Sequence, residues 1–185
     1  MILDCLIEVH DLLTGLEIPH GFGGAIALGN YADPRGTNDV DVNVATPFTE
    51  ATAMLRELTK IGFDLDGSLE DALPAAGLRV VRGLDQVDLF FSFDTYHDRV
   101  LSRCRLATFT FGPTRRSIPV ISPDDLVVFK MAFNRGKDWV DIESMLLAGT
   151  KLDLTLISQE LVSLRGPTMH PRVARLRELI AKAAK

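Results

Sequence analysis

Cysteine and histidine are scarce and scattered in this chain, and their scarcity removes whole classes of chemistry. Of 185 residues only two are cysteines, Cys5 and Cys104. They lie far apart with no Cys-x-x-Cys or Cys/His spacing, which excludes a disulfide framework and a zinc site and leaves them as buried free thiols. The four histidines, His10, His20, His97 and His170, fall in different segments, none at a metal-ligand or nucleophile–base spacing. His20, just before a glycine turn, is expected to be structural rather than to line a pocket. No apolar run approaches the ~20 residues needed to cross a bilayer. The opening Met1-Ile2-Leu3-Asp4-Cys5-Leu6-Ile7-Glu8 lacks the basic region of a signal peptide, so the expected location is the cytoplasm, away from membranes.

A basic excess is also missing, because the net charge is −5. It is unevenly spread: residues 151–185 carry seven Lys/Arg against three Asp/Glu, so the preceding part is the more acidic. An acidic body with a basic tail differs from a uniformly basic nucleic-acid binder. Arg165, Arg172, Arg175, Arg177, Lys182 and Lys185 either meet a polyanion such as RNA through its phosphates or form a solvated helical face. What the chain does have is 46% apolar content, enough for one substantial core and a small appended lobe.

Apolar periodicity predicts helices over residues 2–16, 25–31 and 49–61 and a further one over 95–103. Strand-like runs cover 18–22, 39–45, 78–82, 86–93, 106–111 and 117–121, with turns at Gly83 and Gly112-Pro113. Ser122-Pro123-Asp124-Asp125 is a strong helix start: a Ser cap, Pro at the first helical position and acids in the first turn. Four helices follow, over 124–134, 137–147, 154–164 and 171–184, broken by Gly136, Gly149 and Gly166-Pro167. The expected fold is α+β, a mixed sheet packed with helices. Residues 1–121 form the α/β core, and residues 122–185 a helical part that completes a cleft.

The chemistry concentrates between Gly23 and Val44. Gly23-Gly24 lets a backbone turn approach phosphate oxygens and opens a helix whose first N–H groups face the anion. Asp39-Val40-Asp41 lies on a strand, where side chains alternate with period two, so both carboxylates leave the same face and offer a metal two hard oxygen ligands. A two-metal displacement needs a further carboxylate as ligand or base. Asp88 supplies it, as the lone acid within the apolar strand Gln86-Val87-Asp88-Leu89-Phe90-Phe91. Lys130 is the only charge within Leu126-Val127-Val128-Phe129-Lys130-Met131-Ala132-Phe133, and its compact ammonium suits a phosphate. Asp138 reads as a surface acid near a helix N-terminus. Trp139 either packs between helices or borders a base by stacking.

This ordered set resembles the nucleotidyltransferase superfamily, the polymerase-beta-like fold. Within it, Gly23-Gly24 with Ala27, Arg35-x-Thr37-x-Asp39-Val40-Asp41, and Lys130 with Lys137-Asp138-x-x-Asp141 look like the abortive-infection toxin nucleotidyltransferases of the AbiEii/MenT type. The likeness covers roughly residues 18–147. It implies that Asp39 and Asp41 bind magnesium, two ions in all, with Asp88 as ligand or base. It further implies that Thr37 and Arg35 hold the triphosphate of an NTP, that Lys130 neutralises its oxygens, and that Asp141 orients Lys130 or the nucleotide. Where many members have Gly-Ser at the turn, this chain has Gly24-Ala25, and Thr37 would supply the hydroxyl.

The implied reaction is in-line attack of an acceptor hydroxyl on the α-phosphorus, with pyrophosphate leaving. The toxin resemblance and the basic tail imply a tRNA 3′ end as acceptor and a cognate antitoxin as partner. An acidic body fits a cationic drug such as an aminoglycoside better, and a protein side chain is a third acceptor. A non-catalytic nucleotide-binding module is the remaining reading, against which the intact Asp39/Asp41 pair argues.

Overall fold

The computed structural model describes residues 2–72, 77–111 and 114–183. Gly112-Pro113, Ala184 and Lys185, which figure in the expectations above, lie outside the described residues. The chain divides into two compact units: Met1–Ile26 with Gly36–Ile121, and Ala27–Arg35 with Ser122–Lys185.

The first unit holds the sheet. Its elements are α1 (Ile2–Gly15), β1 (His20–Phe22), the start of α2 (Gly24–Leu28), β2 (Asp39–Pro47), α3 (Ala51–Lys60), β3 (Asp64–Leu65), α4 (Leu69–Ala72), β4 (Gly77–Arg82), β5 (Asp85–Ser92), α5 (Thr95–Ser102), β6 (Arg105–Phe111) and β7 (Thr114–Val120). The seven strands among the described residues run in the order β3-β4-β5-β2-β1-β7-β6. β2 pairs parallel with β5, and β1 with β7, while the other neighbours are antiparallel. Alternation decides what β2 and β5 bury: Val40, Val42, Val44, Val87, Leu89 and Phe91 are all essentially solvent-free. Each such aliphatic or aromatic side chain contributes ~1.5–3 kcal/mol of burial. α1 buries Cys5, Leu6, Val9 and Leu13, one stripe at helical spacing.

The second unit is helical: α6 (Pro123–Phe133), α7 (Gly136–Leu147), α8 (Leu154–Arg165) and α9 (His170–Ala183), with segment 27–35. The Thr150 hydroxyl donates to the Tyr31 carbonyl at 2.6 Å, tying that segment to the helices. Ser122 caps α6 as its sequence announces, accepting from the Asp125 N–H, with Pro123 at the helix start. α6 is buried on several sides, at Leu126, Val127, Val128 and Met131.

The described elements form the mixed α+β architecture expected, with four corrections of detail. The two-residue β3 and the one-turn α4 were not expected, since neither is long enough to establish a period. The break between α6 and α7 is made by Asn134, in the left-handed region at φ 60°, whereas Gly136 begins α7. Asp138 is buried instead of lying on the surface, because it accepts the Arg135 backbone N–H at 2.8 Å and so closes the N-terminus of α7. Cys104 is half-buried, whereas the Cys5 thiol is buried, and burial pushes its pKa up to about 11. Among the described residues no helix is long and apolar enough to cross a membrane.

Candidate active site

The acid face belongs to the sheet unit. Val40 and Val42 turn into the core, which leaves Asp39 and Asp41 together on the other face, both half-buried. β5 runs parallel in register, so Gln86 sits beside Asp39 and Asp88 beside Asp41. Three carboxylates thus share one face on adjacent strands.

Each is held differently. The Thr37 hydroxyl donates to Asp39 Oδ1 at 2.5 Å, so in this structure Thr37 orients the first acid. Asp88 is taken by Arg79, its cross-strand neighbour on β4. Arg79 Nε donates to Asp88 Oδ1 at 2.6 Å and Nη2 to Oδ2 at 2.7 Å, a two-pronged contact. The hydrogen bonds and charge of Asp88, with weaker attraction from Asp39 and Asp66, hold the Arg79 guanidinium firmly protonated.

The glycine turn lies against this face. The Gly23 N–H donates to the Asp41 carbonyl at 2.8 Å, which ties the turn to β2 and commits that donor to the sheet. Gly24 has φ 52°, and a Cβ there would overlap Asp41 Oδ2. Only glycine lets the backbone pass under that carboxylate. Gly24→Ala is expected to cost ~1–2 kcal/mol from the left-handed backbone alone. By displacing Asp41 it should cut any metal-dependent turnover by on the order of 10²-fold. A thermal melt and a steady-state assay on the same preparation measure both, and unchanged turnover would show that the close approach serves packing only.

Among the described residues no three His, Cys, Asp or Glu side chains form a group that could hold a metal ion on protein ligands alone. That arrangement still fits magnesium, which is ordinarily bound through one or two carboxylates, waters and substrate phosphates rather than a closed protein cage. Asp39 and Asp41 are the residues that would hold it.

The helical unit contains the remaining predicted residues. Lys130 and Asp141 are both buried, and Lys130 Nζ donates to Asp141 Oδ2 at 2.5 Å. Arg35 adds a second two-pronged contact, Nε to Asp141 Oδ1 at 3.0 Å and Nη2 to Oδ2 at 3.1 Å. Burial pushes the Asp141 carboxyl upward, but the hydrogen bonds and charges of Arg35 and Lys130 outweigh it and hold its pKa below the usual range. Two cations therefore converge on one carboxylate.

Several other candidates have structural partners. The Arg175 guanidinium lies 4.0 Å from the Trp139 ring centroid, and the indole N–H donates to Asn134 Oδ1 at 2.8 Å, so Trp139 is packed within its own unit. Arg172 Nη1 donates to the Met131 and Ala132 carbonyls at the end of α6. Two of the tail's cations thus serve the fold. His20 Nδ1 donates to the Ile18 carbonyl at 2.8 Å, and its Nε2 meets His10 Nδ1 at 2.8 Å. Burial lowers the pKa of both rings. Ten residues separate them, on α1 and β1, and no spacing rule joins them.

Arg79 is the residue sequence reasoning missed, and a signal for it existed. Gly83, at φ 60°, and Leu84 form a two-residue hairpin loop in which Arg82 pairs with Asp85. Counting back from that loop places Arg79 opposite Asp88.

Compared with models of protein families the chain matches none, and no curated protein sequence matches it. Solved structures do match. An antigenic nucleotidyltransferase-like protein from Paracoccidioides brasiliensis superposes with a TM-score of 0.61 at 16% identity, over 95% of this chain and 88% of that one. ANT(2")-Ia in complex with adenylyl-2"-tobramycin gives 0.58 at 15% identity, over 95% and 96%. The lincosamide antibiotic adenylyltransferase LnuA, lincomycin-bound, gives 0.51 at 13% identity, over 76% and 93%. At such identities the likeness is one of fold, and the fold of this chain is nucleotidyltransferase-like.

Proposed function

We propose that the protein is a magnesium-dependent nucleotidyltransferase that moves a nucleoside monophosphate from an NTP to a hydroxyl of a small, cationic acceptor. The observation that carries this reading is the face shared by Asp39, Asp41 and Asp88, with Gly24 passing under the Asp41 carboxylate. A bound divalent ion would supply charge neutralisation for the attacking and leaving oxygens. The residues of the chain do the positioning. Thr37 fixes Asp39, the Gly24 backbone fixes Asp41, and Asp88 is the third carboxylate, as ligand or base, once Arg79 yields it. Lys130 and Arg35 share Asp141 within the helical unit.

The small-molecule acceptor is favoured over a tRNA 3′ end by three considerations. Two of the solved neighbours are, by their descriptions, an antibiotic adenylyltransferase and an enzyme bound to an adenylylated aminoglycoside. An acidic face draws a polycationic, hydroxyl-rich molecule. Arg172 and Arg175, two of the cations proposed for RNA, are engaged within their own unit.

The test is incubation of the protein and magnesium with each α-labelled NTP and a panel of aminoglycosides, lincosamides and total RNA. Label in a small-molecule product supports the proposal. Label confined to RNA would transfer the assignment to the tRNA-modifying toxin reading. Binding of NTP without label transfer to any acceptor would favour the non-catalytic module.

A further inference from the structure

We propose that Arg79 sets how many divalent ions the acid face accepts from the protein alone, by withholding Asp88 until nucleotide is present. The proposal rests on the reading of Asp39 and Asp41 as metal ligands and goes beyond it. Arg79 and Asp88 are directly opposed on β4 and β5, and Asp88 is in register with Asp41 on β2. Nε and Nη2 of Arg79 engage one oxygen each, so the fork occupies the oxygens a cation beside Asp41 would use.

The Asp88 charge is already engaged by the Arg79 guanidinium. A second ion, taken up beside Asp88, would stand against that positive charge. It becomes favourable when a triphosphate brings further negative charge with it. The Arg79 side chain is 43% exposed and that of Asp88 17%, so the guanidinium stands at the rim, where it can swing to solvent while the carboxylate stays on the sheet. Arg79 is in this sense a positioning residue that acts through Asp88.

The experiment is Mn²⁺ binding to the full chain without nucleotide, followed by electron paramagnetic resonance of the free ion, with folding of each variant checked by circular dichroism. The native protein is expected to take up one ion. Arg79→Gln should tighten Mn²⁺ by about tenfold or more and admit a second ion. In the Arg79→Gln background Asp88→Asn should reverse the gain, a coupling that a double-mutant cycle isolates. Arg79→Lys, which keeps the charge and loses the fork, should fall between native and Arg79→Gln, and it carries the test if Arg79→Gln does not fold. Unchanged or weaker Mn²⁺ binding in the Arg79 variants would overturn the proposal, as would a gain in Arg79→Gln that persists when Asp88→Asn is added. Asp39→Ala separates the two levels of inference. If it retains native Mn²⁺ binding, the metal reading of the face fails; if it loses binding while the Arg79 variants are unchanged, only the role of Arg79 fails.

Discussion

Asp39→Ala and Asp41→Ala should each lower nucleotidyl transfer by on the order of 10³-fold or more, a loss of roughly 4 kcal/mol of transition-state stabilisation. The melting temperature should move little. Both side chains are half-buried and stand on the polar face of β2, so truncation opens no apolar cavity, and Val40 and Val42 continue to hold the strand in the core. Removing Asp39 also frees the Thr37 hydroxyl, which water can satisfy. Because the two acids act on the same ion, their effects should not add, and the double variant should be no worse than the poorer single one. The measurements are transfer rate at saturating magnesium and a thermal melt. Native turnover in both variants, or unfolding of both, would remove these acids from the centre of the account.

Asp141→Ala should produce the largest loss of stability, ~3–5 kcal/mol. The reason is asymmetry within the Lys130–Asp141–Arg35 group. Removing the carboxylate leaves the Lys130 ammonium, whose side chain is 6% exposed, without the anion it donates to. Lys130→Met should cost much less, since Asp141 keeps both contacts from Arg35 and a hydrophobic side chain of similar length replaces the lysine stem. The same group predicts a pH dependence. The folded-state pKa of Asp141 lies below its ordinary value of 3.8, so its contribution is fully present above pH 3.8 and lost as pH falls through the lower, folded value. Denaturant titrations of native, Asp141→Ala and Lys130→Met proteins at neutral pH and near pH 3 check both points. Equal destabilisation by the two substitutions, or a native protein no weaker in acid, would show that the carboxylate does not organise this unit.

The parts of the fold and candidate site that were legible in the sequence are those governed by local rules. Period two on a strand places Asp39 and Asp41 on one face whatever the sheet around them, and Ser122-Pro123 starts α6 by local capping. Asp88 could be read as exceptional because it alone interrupts an apolar strand. What escaped depends on distant pairings. That Asp141 is held by Arg35, 106 residues away in sequence, follows from how an irregular segment meets α7, and no periodicity encodes it. The segment 27–35 looks contiguous with the glycine turn, yet its contacts group it with the helices. Lys130 looks the same in sequence whether its ammonium reaches solvent or a buried carboxylate. Arg79 lies between these extremes, because a two-residue hairpin loop fixes its partner once the loop is recognised.

Phosphorus NMR of the native protein turning over Mg-NTP with a hydroxyl-bearing acceptor tests the central claim most directly, since it shows which phosphorus is attacked. Attack at the α-phosphorus beside the Asp39/Asp41 face predicts inorganic pyrophosphate and a new phosphodiester resonance, both absent with Asp39→Ala. Formation of nucleoside diphosphate with a phosphomonoester instead, or product formation that survives Asp39→Ala, would contradict it.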